Sequence, residues 1–369
     1  MRTVRRLLYA DVLGAVAFVA VAFLALFFFI DFVDELGDVT RGAYAVQHAL
    51  LFCLLEIPAH LYELMPIAVL IGGIYAMARL AQSSEFTILR TGGLGPSRAL
   101  SLLAQLGVAF ALLTFVVGDY VAPYFDARAQ ALKAGLRGAA VSEGAWLRDR
   151  RVADVGETPP GERIDSINVG RVGPGGRLDD VRIYEFSADN QLLARIAAVR
   201  AQVEDDAWLL EDVRITRWLG EEGRLPVEET RPTLRWPTQL SPSVVGAAVS
   251  PLKSMSTVDL YRYMSHLSQN EQAAQRQAIQ FWKKAFYPLA CLVMMGLALP
   301  FAYLHARAGG VSVRVFGGIL LGISFVLLNN VSTHLGLLRD WTPWIAAAAP
   351  GVFYLLLSMA AFSWLVRFR

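Results

Sequence analysis

Val12-Leu13-Gly14-Ala15-Val16-Ala17-Phe18-Val19-Ala20-Val21-Ala22-Phe23-Leu24-Ala25-Leu26-Phe27-Phe28-Phe29-Ile30 runs for nineteen residues without a charge and is followed at once by Asp31-Phe32-Val33-Asp34. A helix needs roughly 20 predominantly apolar residues to cross a hydrocarbon core of about 30 Å, so this run can span a bilayer by itself. Further charge-free runs lie at 99–118, 285–304, 315–333 and 341–366. A sixth, 57–78, holds His60 and Glu63 near its start, but 64–78 is uninterrupted and 45–55 before it is apolar. A span with an interfacial lead-in is expected there. Soluble cores rarely offer several uninterrupted runs of this length, which sets aside a buried bundle in a water-soluble protein.

The polar segment 119–281 separates three spans from three. The expected fold is therefore an α-helical polytopic membrane protein of six transmembrane helices (3+3), with one large extramembrane domain inserted between the third and fourth spans. Three regions follow: 1–137 as the first membrane half, 138–250 as the inserted domain, and 251–369 as a linker helix and the second membrane half. Charge sets the orientation. Arg2, Arg5 and Arg6, then Arg79, Arg90 and Arg98, then Arg307 and Arg314, and finally Arg367 and Arg369 all fall on one side, whereas Asp31, Asp34, Glu35 and Asp38 with Arg41, and Arg339 beside Asp340, fall on the other. Both termini are expected in the cytoplasm and the inserted domain outside. The net charge of +2 averages two solvents and identifies no partner. The first apolar run is longer than a signal-peptide core and lacks a small-residue cleavage site after it. Cys53 and Cys291 sit in or beside apolar runs, so neither reads as a disulfide staple for the outer domain.

That domain has a β pattern. Val181, Ile183, Phe186, Ile196, Ala198, Val213 and Ile215 recur near period two, with Arg182, Arg195, Arg214 and Arg217 interleaved as a solvated face requires. Asp189-Asn190, Asp205-Asp206 and the stretch 220–223 punctuate the runs as turns do. About six antiparallel strands are expected, at 146–155, 163–172, 178–186, 191–204, 207–219 and 224–236, in a sandwich or open jelly roll. An open sheet has edges that must be blunted or paired, and 163–172 and 207–219 are the strands expected to offer one to a partner.

Beyond the sheet, Ser256 stands three residues before Asp259 as a capping-box variant, and Leu260, Tyr263, Met264 and Leu267 recur at helical spacing. Trp282, Lys283 and Lys284 read as interface anchors of the fourth span. The lysines, at 133, 253, 283 and 284, never follow a glycine, so the chain has no Walker A loop and any nucleotide hydrolysis must belong to another subunit. No cofactor, metal or nucleic acid is expected; Glu56, His60 and Glu63 share helical spacings, but such a trio at a membrane boundary reads more readily as a solvated rim. Asn329 and Asn330 deep in the fifth span predict hydrogen bonding between helices, and Gly318 with Gly322 is compatible with close helix contact.

The segment Arg79-Leu80-Ala81-Gln82-Ser83-Ser84-Glu85-Phe86-Thr87-Ile88-Leu89-Arg90-Thr91-Gly92-Gly93 predicts a short helix with Ser83 or Ser84 as cap, an acid in its first turn and a glycine stop. A helix this short gains little alone on a membrane surface. It suits a plug for a partner's groove, through which a permease takes up force from an ATPase; a plain amphipathic turn on the headgroups is the alternative.

With Phe32-Val33-Asp34-Glu35-Leu36, Leu80-Ala81-Gln82-Ser83-Ser84-Glu85, Val121-Ala122-Pro123, Gly144-Ala145-Trp146 and Val313-Arg314-Val315, essentially the whole chain resembles the lipopolysaccharide-export permeases of the LptF/LptG family. The resemblance implies a bacterial inner-membrane subunit that pairs with an LptF-like permease. It further implies an LptB-like ATPase dimer below, and a periplasmic β-jelly-roll-like domain that hands lipopolysaccharide to an LptC-like bridge protein. Ser84, Glu85, Phe86, Leu89 and Arg90 would couple to the ATPase. Leu24, Leu26, Phe27 and Phe28, with Phe29, would meet acyl chains, although plain lipid exposure explains such a run as well. Arg128, Lys133 and Arg137 would meet lipid phosphates, with solvation of a helix end as the alternative.

One departure stands out. Relatives often carry basic residues at the outer end of the first span, where this chain has Asp31, Asp34, Glu35 and Asp38 at i, i+3, i+4 and i+7. These acids are expected to pair with cations of a partner or of the third span, or to hold a divalent ion that bridges to phosphate. The competing functions are the LptF-type paralogue of the same family, a permease for another lipid or for lipoprotein, and a membrane-anchored periplasmic scaffold without transport.

Overall fold

The computed structural model describes residues 2–39, 45–136, 145–152, 162–172, 177–187, 189, 191–203, 207–218, 226–238, 240, 255–266, 271–303 and 310–367. They fall into two compact units, a helical one formed by 1–136 with 267–369, and a β one formed by 137–266.

In the helical unit, α1 (Arg2–Val39) and α2 (Val46–Gln82) form an antiparallel hairpin, and α3 (Glu85–Thr91) follows directly. Next comes α4 (Pro96–Val116), which runs through a π-helical turn (Val117–Val121) into α5 (Ala122–Leu136). After the β unit, α7 (Glu271–Ala298), the one-turn α8 (Pro300–Tyr303), α9 (Val311–Leu338) and α10 (Pro343–Arg367) complete the unit. Six of its helical stretches are long and apolar enough to cross a membrane. The helices outrun the charge-free runs: the third continues past Asp119 to Leu136, and the fourth is already helical at Glu271. At 1.5 Å per residue a helix of 37 residues is about 55 Å long, so α2 projects well beyond the hydrocarbon core.

α2 is the hub. Within its most apolar window 83% of residues are buried, against 17% in α1. Water cannot drive helices together in lipid, so close backbone approach through small residues does much of the work. A Cβ on Gly72 would lie 2.6 Å from the Val16 Cα, one on Gly318 2.8 Å from Ile74 Cδ1, and one on Gly322 3.0 Å from Ile67 Cγ2. Glycines thus seat α1 and α9 on α2, and Gly107 of α4 meets Leu292 of α7 in the same way. Polar ties supplement this packing. Tyr9 donates to Gln105 Oε1 at 2.8 Å, and Arg79 donates to Asp11 Oδ1 at 2.8 Å. Asn329 does not bridge helices as expected; its amide donates back to the Phe325 carbonyl of its own helix, and cross-helix bonds between α9 and α10 come instead from Ser332, donating to the Ala346 carbonyl at 2.6 Å, and from Tyr354, donating to the Leu321 carbonyl at 3.1 Å.

In the β unit, β1 (Ala145–Val152), β2 (Glu162–Val172), β3 (Arg177–Ser187), β4 (Leu192–Val203), β5 (Ala207–Arg217) and β6 (Val227–Pro237) form one antiparallel sheet in sequence order. The alternation read from sequence holds: Val181, Ile183, Ile196, Ala198, Val213 and Ile215 are buried, while Arg182, Arg195, Arg214 and Arg217 are exposed. The sheet curls strongly. Thr238, just past β6, donates to Asp149 Oδ2 on β1 at 2.6 Å, and Trp208, fully buried, donates to the Leu240 carbonyl. Asp180 and Asp212 take left-handed backbone (φ 52° and 54°) inside β3 and β5, bending both strands. Gly170 lies beside the first bend, where a Cβ would stand 3.0 Å from the Asp180 Cβ.

The strands expected to offer an edge, 163–172 and 207–219, are interior, paired on both sides; the edges are β1 and β6. Alternation places a residue on a face but carries no information about which neighbour a strand takes, and the error follows from that. β6 carries Pro232, which an edge strand tolerates because no ladder donor is lost on its open side. After the sheet, α6 (Thr257–His266) has the expected cap: the Asp259 amide donates to Ser256 Oγ at 3.1 Å, and the Ser256 hydroxyl donates to Asp259 Oδ2 at 2.6 Å.

Candidate functional site

Two ends of the helical unit carry chemistry. At one end α3 is docked by its own second residue. Phe86 is buried, only 3% exposed, and meets Tyr303 of α8 edge-on with ring centroids 4.9 Å apart. The Arg90 guanidinium stands 5.9 Å from the centre of the same ring. Leu89 is half-buried, whereas Glu85, Thr87 and Ile88 face outward, Ile88 with 67% of its surface exposed. The docked helix thus presents an acid and a branched apolar side chain three residues apart on one face. Ile88 is a candidate contact that the sequence reading passed over; an outward apolar residue beside the inward Phe86 was its signal.

The cap differs from expectation. Ser84 occupies the N-cap position in left-handed backbone (φ 61°) and makes no side-chain capping bond, and Ser83 closes α2. The glycine stop is present, with Gly92 as C-cap and Gly93 at φ 99°.

The opposite end of the α1–α2 pair gathers ionisable groups. Glu35 is buried, and Lys133 Nζ of α5 donates to its Oε2 at 3.0 Å and stands 2.9 Å from its Oε1. Lys133 also stands 4.4 Å from the centre of the Phe52 ring. One acid of the first span is therefore neutralised by a cation of the third, the first of the arrangements expected for the acidic face. Asp31 is met instead by His60, with Oδ2 2.7 Å from Nε2, and Phe27 stacks on the His60 ring at 5.2 Å. One atom each from Asp31, Glu56 and His60 lie within 4.8 Å of one another. Glu63, grouped with Glu56 and His60 in sequence, is exposed and outside this cluster; Asp31 from the neighbouring helix takes its place.

The remaining candidates separate. Arg128 is exposed and lies over the Tyr124 ring at 4.3 Å, and Asp34 is exposed. Arg137 and the side chain of Asp38 lie outside the described residues. On α1, Leu24 is half-buried and Leu26 faces outward; Phe27 turns to His60, and Phe28 stacks on Phe32 with centroids 6.3 Å apart. The outward stripe of this helix is formed by Phe18, Val21, Leu26, Phe29, Ile30 and Val33. It is this stripe, more than the contiguous run 24–28, that is open to lipid or to a second membrane protein.

Six apolar helices in two groups of three, an antiparallel sheet between them in sequence, and a short docked helix between the second and third spans define the architecture of a multi-pass membrane protein. The chain belongs to the family described as lipopolysaccharide export system permease LptF/LptG, whose sequence profile matches residues 6–365. Among its relatives, the lipopolysaccharide export system permease protein LptG of Haemophilus influenzae is 26% identical over 345 residues, covering 90% of each chain. The protein of that name from Escherichia coli K12 is 27% identical over 340 residues, covering 89% of each.

Proposed function

We propose that this chain is the LptG-type permease subunit of a lipopolysaccharide exporter in the bacterial inner membrane, and that α3 is its coupling helix. The observation that carries the reading is the family match from end to end, which spans both membrane halves and the β domain together. The charge distribution supports cytoplasmic termini and a periplasmic sheet. In this arrangement α3 lies on the cytoplasmic side and offers Glu85 and Ile88 to an LptB-like ATPase, with an LptF-like permease completing the membrane pair and an LptC-like protein receiving the lipid.

Withdrawing a multi-acyl lipid costs roughly 0.8 kcal/mol for each methylene taken from the bilayer, so repeated export needs an external energy supply. α3 is held to both membrane halves, being continuous with α2 and packed on Tyr303 of α8. Force applied to it would reach both halves at once. The outward stripe of α1 would line the shared lipid-facing surface. Of the basic trio, Arg128 is the better placed to meet phosphate, because the charge of Lys133 is already taken up by Glu35.

Co-purification from the native membrane, with mass spectrometry of proteins and lipid, tests this. Recovery of an ATPase, a second six-span permease and lipopolysaccharide is the expected result. Recovery of another lipid or a lipoprotein would reassign the substrate, and recovery without an ATPase would favour a scaffold.

A further inference from the structure

We propose that Asp31, Glu56 and His60 form a binding site for a divalent transition-metal ion of the zinc class, at the end of the α1–α2 pair opposite α3. Glu56 and His60 are four residues apart on α2, so both project from one face one turn apart. Asp31 reaches them from α1, giving one imidazole nitrogen and two carboxylate oxygens within 4.8 Å. Among the described residues this is the one group with such geometry.

The donor set selects the ion. Calcium and magnesium take oxygen shells of six or more ligands, whereas imidazole with carboxylates suits zinc and its neighbours, and three protein ligands with an open position is a common zinc arrangement. Bonds of about 2.0–2.1 Å in a tetrahedron put donor atoms about 3.3 Å apart. Asp31 Oδ2 and His60 Nε2, now 2.7 Å apart and hydrogen-bonded, need to separate by only about half an ångström, and Glu56 closes by side-chain rotation. The scaffold is prepared: both contributing elements are long helices, and Phe27 stacked on His60 fixes the plane of the ring.

Charge supplies an independent reason. Glu56 lies near the Asp31 and Asp126 carboxylates, with the His60 ring and the Lys133 ammonium also close by. Lys133, however, is ion-paired with Glu35. Asp126 has Lys284 beside it, so Asp31 and Glu56 are the two carboxylates left facing each other across one imidazole at the border of a low-dielectric medium, and a divalent ion neutralises that pair. Both the Asp31 and His60 side chains keep 21% of their surface exposed, which leaves an approach for water or an anionic oxygen at the open coordination position.

The test uses the full chain in nanodiscs, stripped with a chelator and titrated with Zn²⁺, and with Co²⁺ as a spectroscopic probe. The expected result is one ion per chain surviving gel filtration, and a cobalt spectrum of nitrogen and oxygen donors without a thiolate charge-transfer band. Loss of an outer-shell partner costs roughly 10–100-fold in metal affinity, so His60→Gln and Glu56→Gln, each removing a ligand, should weaken binding at least tenfold. Asp34→Asn, an exposed acid on α1 one turn from Asp31, should not. Thermal unfolding of each metal-free variant checks that it is folded, and the cobalt spectrum of the unaltered chain stands even where a variant fails. Absence of stoichiometric metal in the unaltered chain, or unchanged affinity in His60→Gln, would overturn the site, and neither result bears on export itself.

Discussion

The docking of α3 separates two substitutions that sequence alone would treat as equivalent. Phe86→Ala removes a ring that is 3% exposed and seated edge-on against Tyr303. Truncating a buried Phe to Ala costs about 3–5 kcal/mol. A seven-residue helix has almost no stability of its own, so this loss falls on the equilibrium between docked and undocked α3. Even the lower value shifts that equilibrium more than a hundredfold, at about 1.4 kcal/mol for each factor of ten. Glu85→Ala changes an exposed side chain and leaves the docking contact intact. Amide hydrogen exchange over residues 85–91 of the full chain should therefore speed up strongly in Phe86→Ala and stay near the original rate in Glu85→Ala. Both variants should lower the ATPase activity recovered in the co-purified complex, the first by loosening the helix and the second by removing a contact from a helix still in place. Original exchange rates in Phe86→Ala would refute the anchoring role, and equal acceleration in the two variants would refute the division of labour.

Other expectations concern packing and charge. Lys133→Glu should lower thermal stability by about 1–3 kcal/mol, less than a fully buried pair because Lys133 is 27% exposed, and adding Glu35→Lys should recover at least half of the loss. Failure of the double variant to recover in calorimetry would mean that Lys133 acts on something other than Glu35. Gly72→Val pushes a side chain into the Val16 backbone and should cost about 1–3 kcal/mol or more, whereas Gly14→Ala, with nothing within 4 Å, should be neutral in the same melting assay. Arg163→Met strips Glu185 of a cation 3.1 Å away where both side chains are under 10% exposed, and should cost about 3–5 kcal/mol, read as faster proteolysis within the sheet.

The sequence carried the six spans and the six strands because each is written locally, as an uninterrupted apolar run or as alternation along one stretch. It carried the short helix α3 too, since its acid and its glycine stop lie within a few residues of each other, but not the docking of Phe86 on Tyr303, which lies far along the chain. What it did not carry were pairings between elements. Asp31 and His60 are 29 residues apart and Glu35 and Lys133 are 98 apart; no period joins them, whereas helical spacing groups His60 with Glu56 and Glu63. Strand order was hidden for the same reason, so the open edges were assigned to β2 and β5 instead of β1 and β6. Ser84 shows the reverse limit: a favourable capping residue at the right place, whose left-handed backbone turns the side chain from its usual task.

Strand order also bears on how the molecule is made. Every pairing in the sheet joins strands adjacent in the chain, from β1 with β2 through β5 with β6. Such low contact order favours rapid folding, because each hairpin closes a short loop before the next strand is needed. Synthesis runs from the N-terminus, and domains generally fold as units while it proceeds. The sheet can thus be assembled strand by strand while α7, α9 and α10 are still unmade, and it need not wait for the second membrane half to be inserted.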